Sequence, residues 1–204
     1  MQKKYTRGLL TLVAFIFFVT GYYLIGSYIN KIPLQISSFS VATPIDDVLP
    51  LIPEFVFIYM SMYLVAVLPY FFIQDKKEFR RVISSYLLVL VSSFMIFIFF
   101  PVYVPRPELI ATTFSEKVLT HLYLVDLPIN NFPSLHVALS MLSSFILYNY
   151  SKKIGSISLI WSVLIAFSVL LVKQHYFLDI IGGVLIAIIG YLFYRNKYKV
   201  TSKT

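Results

Sequence analysis

Six apolar stretches recur along this chain, and they leave few folds open to it: Gly8 to Asn30, Leu51 to Gln74, Val82 to Val104, Leu135 to Tyr150, Ile157 to Val172 and Tyr176 to Tyr194. A crossing helix uses about 20 residues at 1.5 Å rise each. The fourth and fifth stretches are short for that, and flanking polar residues extend them at the interface. Composition agrees: with 59% hydrophobic and 13% charged residues and a mean hydropathy of +0.83, the chain is too apolar for a soluble globular domain, where about a quarter of residues are charged. The expected fold class is all-α, a polytopic membrane protein with a six-transmembrane-helix bundle. A single membrane-embedded domain takes up residues 1–204, with spans at about 8–30, 51–74, 82–104, 135–150, 157–172 and 176–194.

The basic residues supply orientation. Under an even number of crossings, Lys3, Lys4, Arg7, Lys76, Lys77, Arg80, Arg81, Lys152, Lys153, Arg195, Lys197, Lys199 and Lys203 fall on the N-terminal side, and only Lys31, Arg106, Lys117 and Lys173 on the other. The positive-inside rule then places both termini in the cytoplasm, in a multi-pass protein of the plasma (inner) membrane. A five- or seven-span reading breaks the alternation. The formal charge of +8 therefore reads as topology, and no basic run interleaved with aromatics suggests nucleic acid. Lys3, Lys4 and Arg7 before an apolar run resemble a signal peptide, but the run continues to about Ile29 without an A-x-A-like cleavage site, so a retained first helix is expected. Cysteine is absent, which removes disulfides and thiolate metal sites. Of two long outer segments, Lys31 to Pro50 and Pro105 to Pro133, either suits a short interfacial helix; Gly182 and Gly183 suit close helix packing.

Drawn on this topology, the unusual polar residues gather at the outer boundary: Arg106 after the third span, Ser134 and His136 at the start of the fourth, and Lys173, His175 and Asp179 between the fifth and sixth. Ionisable groups near hydrocarbon are costly, so their convergence marks a functional site. His175 and Asp179 stand at i and i+4, so on a helix the carboxylate would fix the imidazole tautomer and leave the other nitrogen free to attack an electrophile. Read alone, the pair also suits two buried polar groups that satisfy each other. Ser134 and His136 open a helix, where free N–H groups and the helix dipole favour an anion. His136 is placed as a proton donor to a leaving oxygen, and Ser134 is equally an ordinary N-cap. Arg106, held between Pro105 and Pro107, matches phosphate oxygens with its guanidinium, or snorkels to the interface; Lys173 shares that ambiguity. His121 has no motif around it.

Arg106-Pro107, then Pro133-Ser134-Leu135-His136, then His175-Tyr176-Phe177-Leu178-Asp179 resemble, in order, the three signature motifs of the type 2 phosphatidic acid phosphatase superfamily, which includes vanadium-dependent haloperoxidases. The resemblance implies a lipid phosphatase cleaving a lipid phosphate or diphosphate at the extracytoplasmic face through a phosphohistidine. His175 would be the nucleophile, Asp179 its orienter and His136 the acid for the leaving group. Arg106, Ser134 and the backbone around Leu135 would hold the phosphate, with no metal and no organic cofactor, since positioned cations and N–H groups stabilise the phosphoryl charge. The partners expected are a lipid phosphate or phospholipid substrate and the membrane.

Three positions depart from the usual signature. Phe99 stands where the first motif has lysine, Leu135 where the second has glycine, and Val169 where the third has arginine after Ser168. Two phosphate-binding cations are thus missing. Lys173, four residues after Val169, would lie on the same face of a continuing helix and restore charge. Pro-Ser-Leu-His with His-Tyr-x-x-Asp is similar to the branch containing inositol phosphorylceramide synthases, which implies an alternative: a lipid phosphotransferase passing a phosphoryl-headgroup unit to an alcohol. More remote alternatives are a haem protein with His136 and His175 as axial ligands and a transporter, although the repeats and broken helices of the latter are not evident.

Overall fold

The computed structural model describes residues 2–31 and 39–201. They form α1 (Gln2–Ile29), α2 (Pro44–Val48), a 3-10 turn (Pro53–Phe55) continuing into α3 (Val56–Met60), α4 (Met62–Phe72), α5 (Lys76–Phe99), α6 (Phe114–Val125), α7 (Leu135–Tyr150), α8 (Lys152–Leu171) and α9 (Phe177–Thr201). Among the described residues extended pairing is confined to two isolated bridges, Phe39 with Val102 and Val102 with Asn130. The chain is an all-α, multi-pass membrane protein.

Helix boundaries follow local chemistry. Asp75 caps α5, accepting the Glu78 N–H at 2.8 Å, so this helix starts at Lys76, earlier than the apolar stretch from Val82. It stops at Phe99, before Pro101, which offers no N–H and disfavours helix in the residue before it. Residues 100–104 are therefore not helical, although they are apolar. The second stretch is broken at Ser61, whose hydroxyl donates to the Ile58 carbonyl at 2.6 Å and accepts the Trp161 indole N–H at 2.8 Å; a hydroxyl bonding back to the chain loosens a helix. The segments expected to carry interfacial helices hold α2 and α6, while residues 32–38 of the first lie outside the described residues. Thr113 and Glu116 cap α6 reciprocally.

Among the described residues five segments are long and apolar enough to cross a membrane: Thr6–Ile29, Pro53–Phe72, Lys76–Phe99, Lys152–Leu171 and Phe177–Asn196. The fourth expected span, the one not among them, coincides with α7, but its 16 residues reach only about 24 Å, short of a hydrocarbon core of about 30 Å. Helix α7 is the centre of the bundle, with Leu135 to Ser144, Ile146 and Leu147 all buried against α4, α5, α8 and α9. Its closest partner is α8, joined through Ser151 alone. Gly155 lets the two chains touch: a Cβ there would lie 2.2 Å from the Tyr148 Cα. Ser144 bonds Ser158 at 2.6 Å and Ser162 at 2.9 Å. Small residues and hydroxyl pairs hold helices together where the surroundings offer no hydrophobic driving force. The outside is apolar, with Leu9, Leu12, Ile16, Ile160, Phe167, Leu185 and Ile189 exposed, as a hydrocarbon solvent requires.

Candidate active site

The site is built where α7 begins, α9 begins and α8 ends. Helix α8 closes at Leu171, and the chain reverses through Lys173, whose φ of 51° is the left-handed conformation that usually ends a helix at glycine. The N–H groups of Lys173 and Gln174 return to the Leu170 and Val169 carbonyls, both at 3.0 Å. The helix does not continue to Lys173, so the register proposed for that residue is replaced by a turn. Its ammonium donates to the carbonyls of Asp46 at 3.0 Å and Leu49 at 2.7 Å, on α2 and just beyond it. Its own carbonyl accepts Arg106 Nη1 at 2.7 Å.

This turn presents His175. The residue stands just ahead of α9 and not within it, yet its Nδ1 meets Asp179 Oδ2 at 3.2 Å, with the two side chains 4% and 0% exposed. The same oxygen accepts the Tyr176 N–H at 2.8 Å, so Asp179 caps its own helix while it holds the ring, at the end where the dipole favours negative charge. The Asp179 carbonyl in turn accepts the Ser134 N–H at 3.0 Å, which stitches α9 to the start of α7. Gly183 makes that approach possible, since a Cβ there would lie 2.6 Å from the Ser134 carbonyl oxygen; Gly182 lies similarly under Phe132 and Pro133.

Ser134 caps α7, its hydroxyl accepting the Val137 N–H at 3.5 Å. Leu135 and His136 follow as the first helical residues, positions whose N–H groups have no intrahelical acceptor. His136 Nδ1 faces His175 Nε2 at 3.4 Å. Its other side lies on the Tyr59 ring, with centroids 4.2 Å apart. Tyr59 donates to Asp126 Oδ2 at 3.1 Å, and Tyr22 of α1 donates to the other oxygen. These three residues escape the sequence: Asp126 is one acidic loop residue of several, and two tyrosines among sixteen carry no positional mark.

Arg106 lies over the Tyr123 ring, 5.6 Å from its centroid. One nitrogen is spent on the Lys173 carbonyl, while Nε and Nη2 are buried with no hydrogen-bond partner among the described residues. Buried donors without acceptors cost free energy, and an anion would satisfy them. Burial, then the Arg106 charge, holds the His175 pKa down at about 3 against an ordinary 6.5, partly opposed by Asp126 and a hydrogen bond to the Asn131 backbone. The ring is thus neutral at physiological pH. With Nδ1–H held by Asp179, it carries its lone pair on Nε2. A cavity of about 370 Å³ opens beside Arg106, lined by Asp46, Asp47, Lys173 and Tyr176. Among the described residues no three His, Cys, Asp or Glu side chains gather as metal ligands.

The loop bearing His175 is clamped from several sides. Besides the Lys173 ties, Tyr123 donates to the Val172 carbonyl at 2.7 Å, Asp46 Oδ1 accepts the Phe177 N–H at 2.8 Å, and the Ile52 N–H reaches the Leu171 carbonyl at 2.8 Å.

Fold and site together define a multi-pass helical membrane protein in which His136, His175, Asp179 and Arg106 gather at one end of the bundle. The model of the PAP2 superfamily, the type 2 phosphatidic acid phosphatases, matches residues 43–193, most of the chain, and the chain belongs to that superfamily. Its members are phosphoesterases and phosphotransferases. No curated protein and no solved structure matches significantly. Helix α1 lies outside the matched segment.

Proposed function

We propose that this protein is a lipid phosphatase that cleaves a phosphate or diphosphate ester through a phosphohistidine. The observation that carries the reading is the chain Asp179 to His175 to His136, set beside an arginine with two unpaired buried donors. Nε2 of His175 attacks phosphorus as the P–O bond to the lipid breaks, and protonated His136 gives its proton to the departing oxygen. His136 then takes a proton from water, which attacks phosphorus, breaks the N–P bond and restores free His175 and phosphate. In-line displacement puts nucleophile and leaving oxygen on opposite sides of phosphorus, so the phosphoryl group displaces the contact between the two rings. Arg106, the Ser134 hydroxyl and the N–H groups opening α7 at Leu135 hold its oxygens. Lys173 contributes by fixing Arg106 and the turn, its ammonium being taken up by two carbonyls.

We place α7 as the sixth crossing, which brings both termini to the cytoplasmic side of the plasma membrane and the site to its outer face. The basic-residue asymmetry supports this. A second reading, transfer of a phosphoryl-headgroup unit to an alcohol as in the inositol phosphorylceramide synthase-like branch, is favoured by the polar-edged cavity beside Arg106, which offers space for an acceptor. The test is turnover by the purified protein of phosphatidate, phosphatidylglycerol phosphate, polyprenyl diphosphate and inositol phospholipids, each with and without an alcohol. Wild type should release phosphate and trap as an acid-labile phosphoenzyme, and His175→Ala should do neither. Full activity in His175→Ala would refute the mechanism, and product carrying the alcohol would select the second reading.

A further inference from the structure

Helix α1 is fastened at two heights. Near the catalytic end Tyr22 bonds Asp126, and the adjacent Gly21 brings the backbone onto Phe94, where a Cβ would lie 2.4 Å from the ring. At the other end the Arg7 guanidinium donates to the Gln74 side chain and the Tyr70 carbonyl and rests over the Tyr70 and Phe79 rings at 4.8 and 5.0 Å. Between these fastenings α1, α4 and α5 border a cavity of about 530 Å³, within the ~300–1,000 Å³ typical of ligand sites. Two anchored ends make this a built chamber. Its walls are Phe15 and Phe18 of α1, Met62 and Ala66 of α4, Leu90 of α5 and Leu139 of α7.

Position and chemistry together name the occupant. Leu139 lies one turn along α7 from His136, and Met62 one turn along from Tyr59, which carries the His136 ring, so the chamber begins beneath the catalytic pair. From Gly8 to Phe18 its wall runs about 15 Å along α1, roughly the depth of one leaflet's hydrocarbon. Two of the hydroxyls that border it are engaged, Thr11 donating to the Arg7 carbonyl at 3.1 Å and Tyr86 to the Ala66 carbonyl at 2.8 Å. Water needs two to four polar partners to settle in a cavity, and this lining is predominantly apolar.

We propose that the chamber between α1, α4 and α5 holds a hydrocarbon chain of the lipid whose phosphate lies at His175, so that α1, outside the superfamily match, completes the substrate site. The inference rests on the lipid-phosphate reading and narrows it to substrates with at least one long hydrocarbon chain beneath the phosphate. Bulk lipid is the competing occupant, and headgroup dependence separates the two. The probe is phosphatidate with a diazirine at the end of one chain, in phosphatidylcholine nanodiscs, compared with the matching diazirine phosphatidylcholine. Irradiation should label residues 8–18 of α1 about tenfold more from phosphatidate, the ratio expected if the held phosphate contributes about 1.4 kcal/mol, and Arg106→Ala should erase the difference. Ala66→Phe, which fills the chamber, should reduce turnover of palmitoyl phosphatidate relative to the butyryl form. Equal labelling by both lipids, or labelling that avoids α1, overturns the proposal, as does an unchanged chain-length ratio in Ala66→Phe. Headgroup-dependent labelling without turnover in the same discs would uphold the chamber and refute the enzymatic reading instead.

Discussion

Lys173 adopts a backbone conformation that costs a non-glycine residue roughly 1–2 kcal/mol, and its four hydrogen bonds, two from the ammonium, one from the backbone N–H and one to the carbonyl, offset that strain. Its charge suggests a phosphate ligand or a snorkelling interfacial lysine, and the sequence does not announce the carbonyls it meets, because they belong to residues 46 and 49, more than a hundred positions away. The two roles differ kinetically. If Lys173 holds the His175 turn, Lys173→Met should lower kcat by up to about a hundredfold, the scale of a 1 Å misplacement, with KM and vanadate affinity little changed. A phosphate ligand would instead show in KM and vanadate affinity. His175, Asp179, His136 and Ser134 were legible because the chemistry fixes both their type and their spacing. Asp126 and Tyr59 were not, since their meaning lies in a contact between α3 and the end of α6 that no local pattern announces.

Helices were read well wherever hydropathy and cap agree, and poorly where a polar signal displaces an end. Asp75 and Pro101 shift α5 toward the N-terminus of its apolar stretch, and Ser61 divides the second. The pair Gly182 and Gly183 was legible as a packing site, but the partner was not: it is the segment Phe132 to Ser134 ahead of α7, with Gly183 against the Ser134 carbonyl. Gly183→Ala should therefore destabilise the protein by about 1–3 kcal/mol, as overpacking does, because a backbone oxygen cannot rotate away. Gly8→Ala, whose Cβ would meet only the Tyr70 hydroxyl at 3.8 Å, should leave the melting temperature unchanged or raise it. Thermal melts of the two variants in detergent provide the comparison.

At the scale of the molecule, the alternation of basic residues is the one orienting signal, and the cysteine-free sequence makes it easy to examine. Single cysteines at Glu108 and Lys153 should react with an impermeant maleimide from opposite faces of sealed vesicles, Glu108→Cys from the outer one; labelling of both from one face would remove the six-span arrangement. The centre of the bundle has a further consequence. Helix α7 is solvated by protein rather than lipid, which is why it can be short and carry four serines from Ser134 to Ser144 without exposing them to hydrocarbon. Hydrophobic mismatch acts on helices that lipid touches, so a thicker or thinner bilayer tilts α1 and the outer faces of α8 and α9 while α7 keeps its place. His175 and His136 are referenced to that inner helix, through the Ser134–Asp179 backbone bond, and their spacing is thereby insulated from the thickness of the membrane around them.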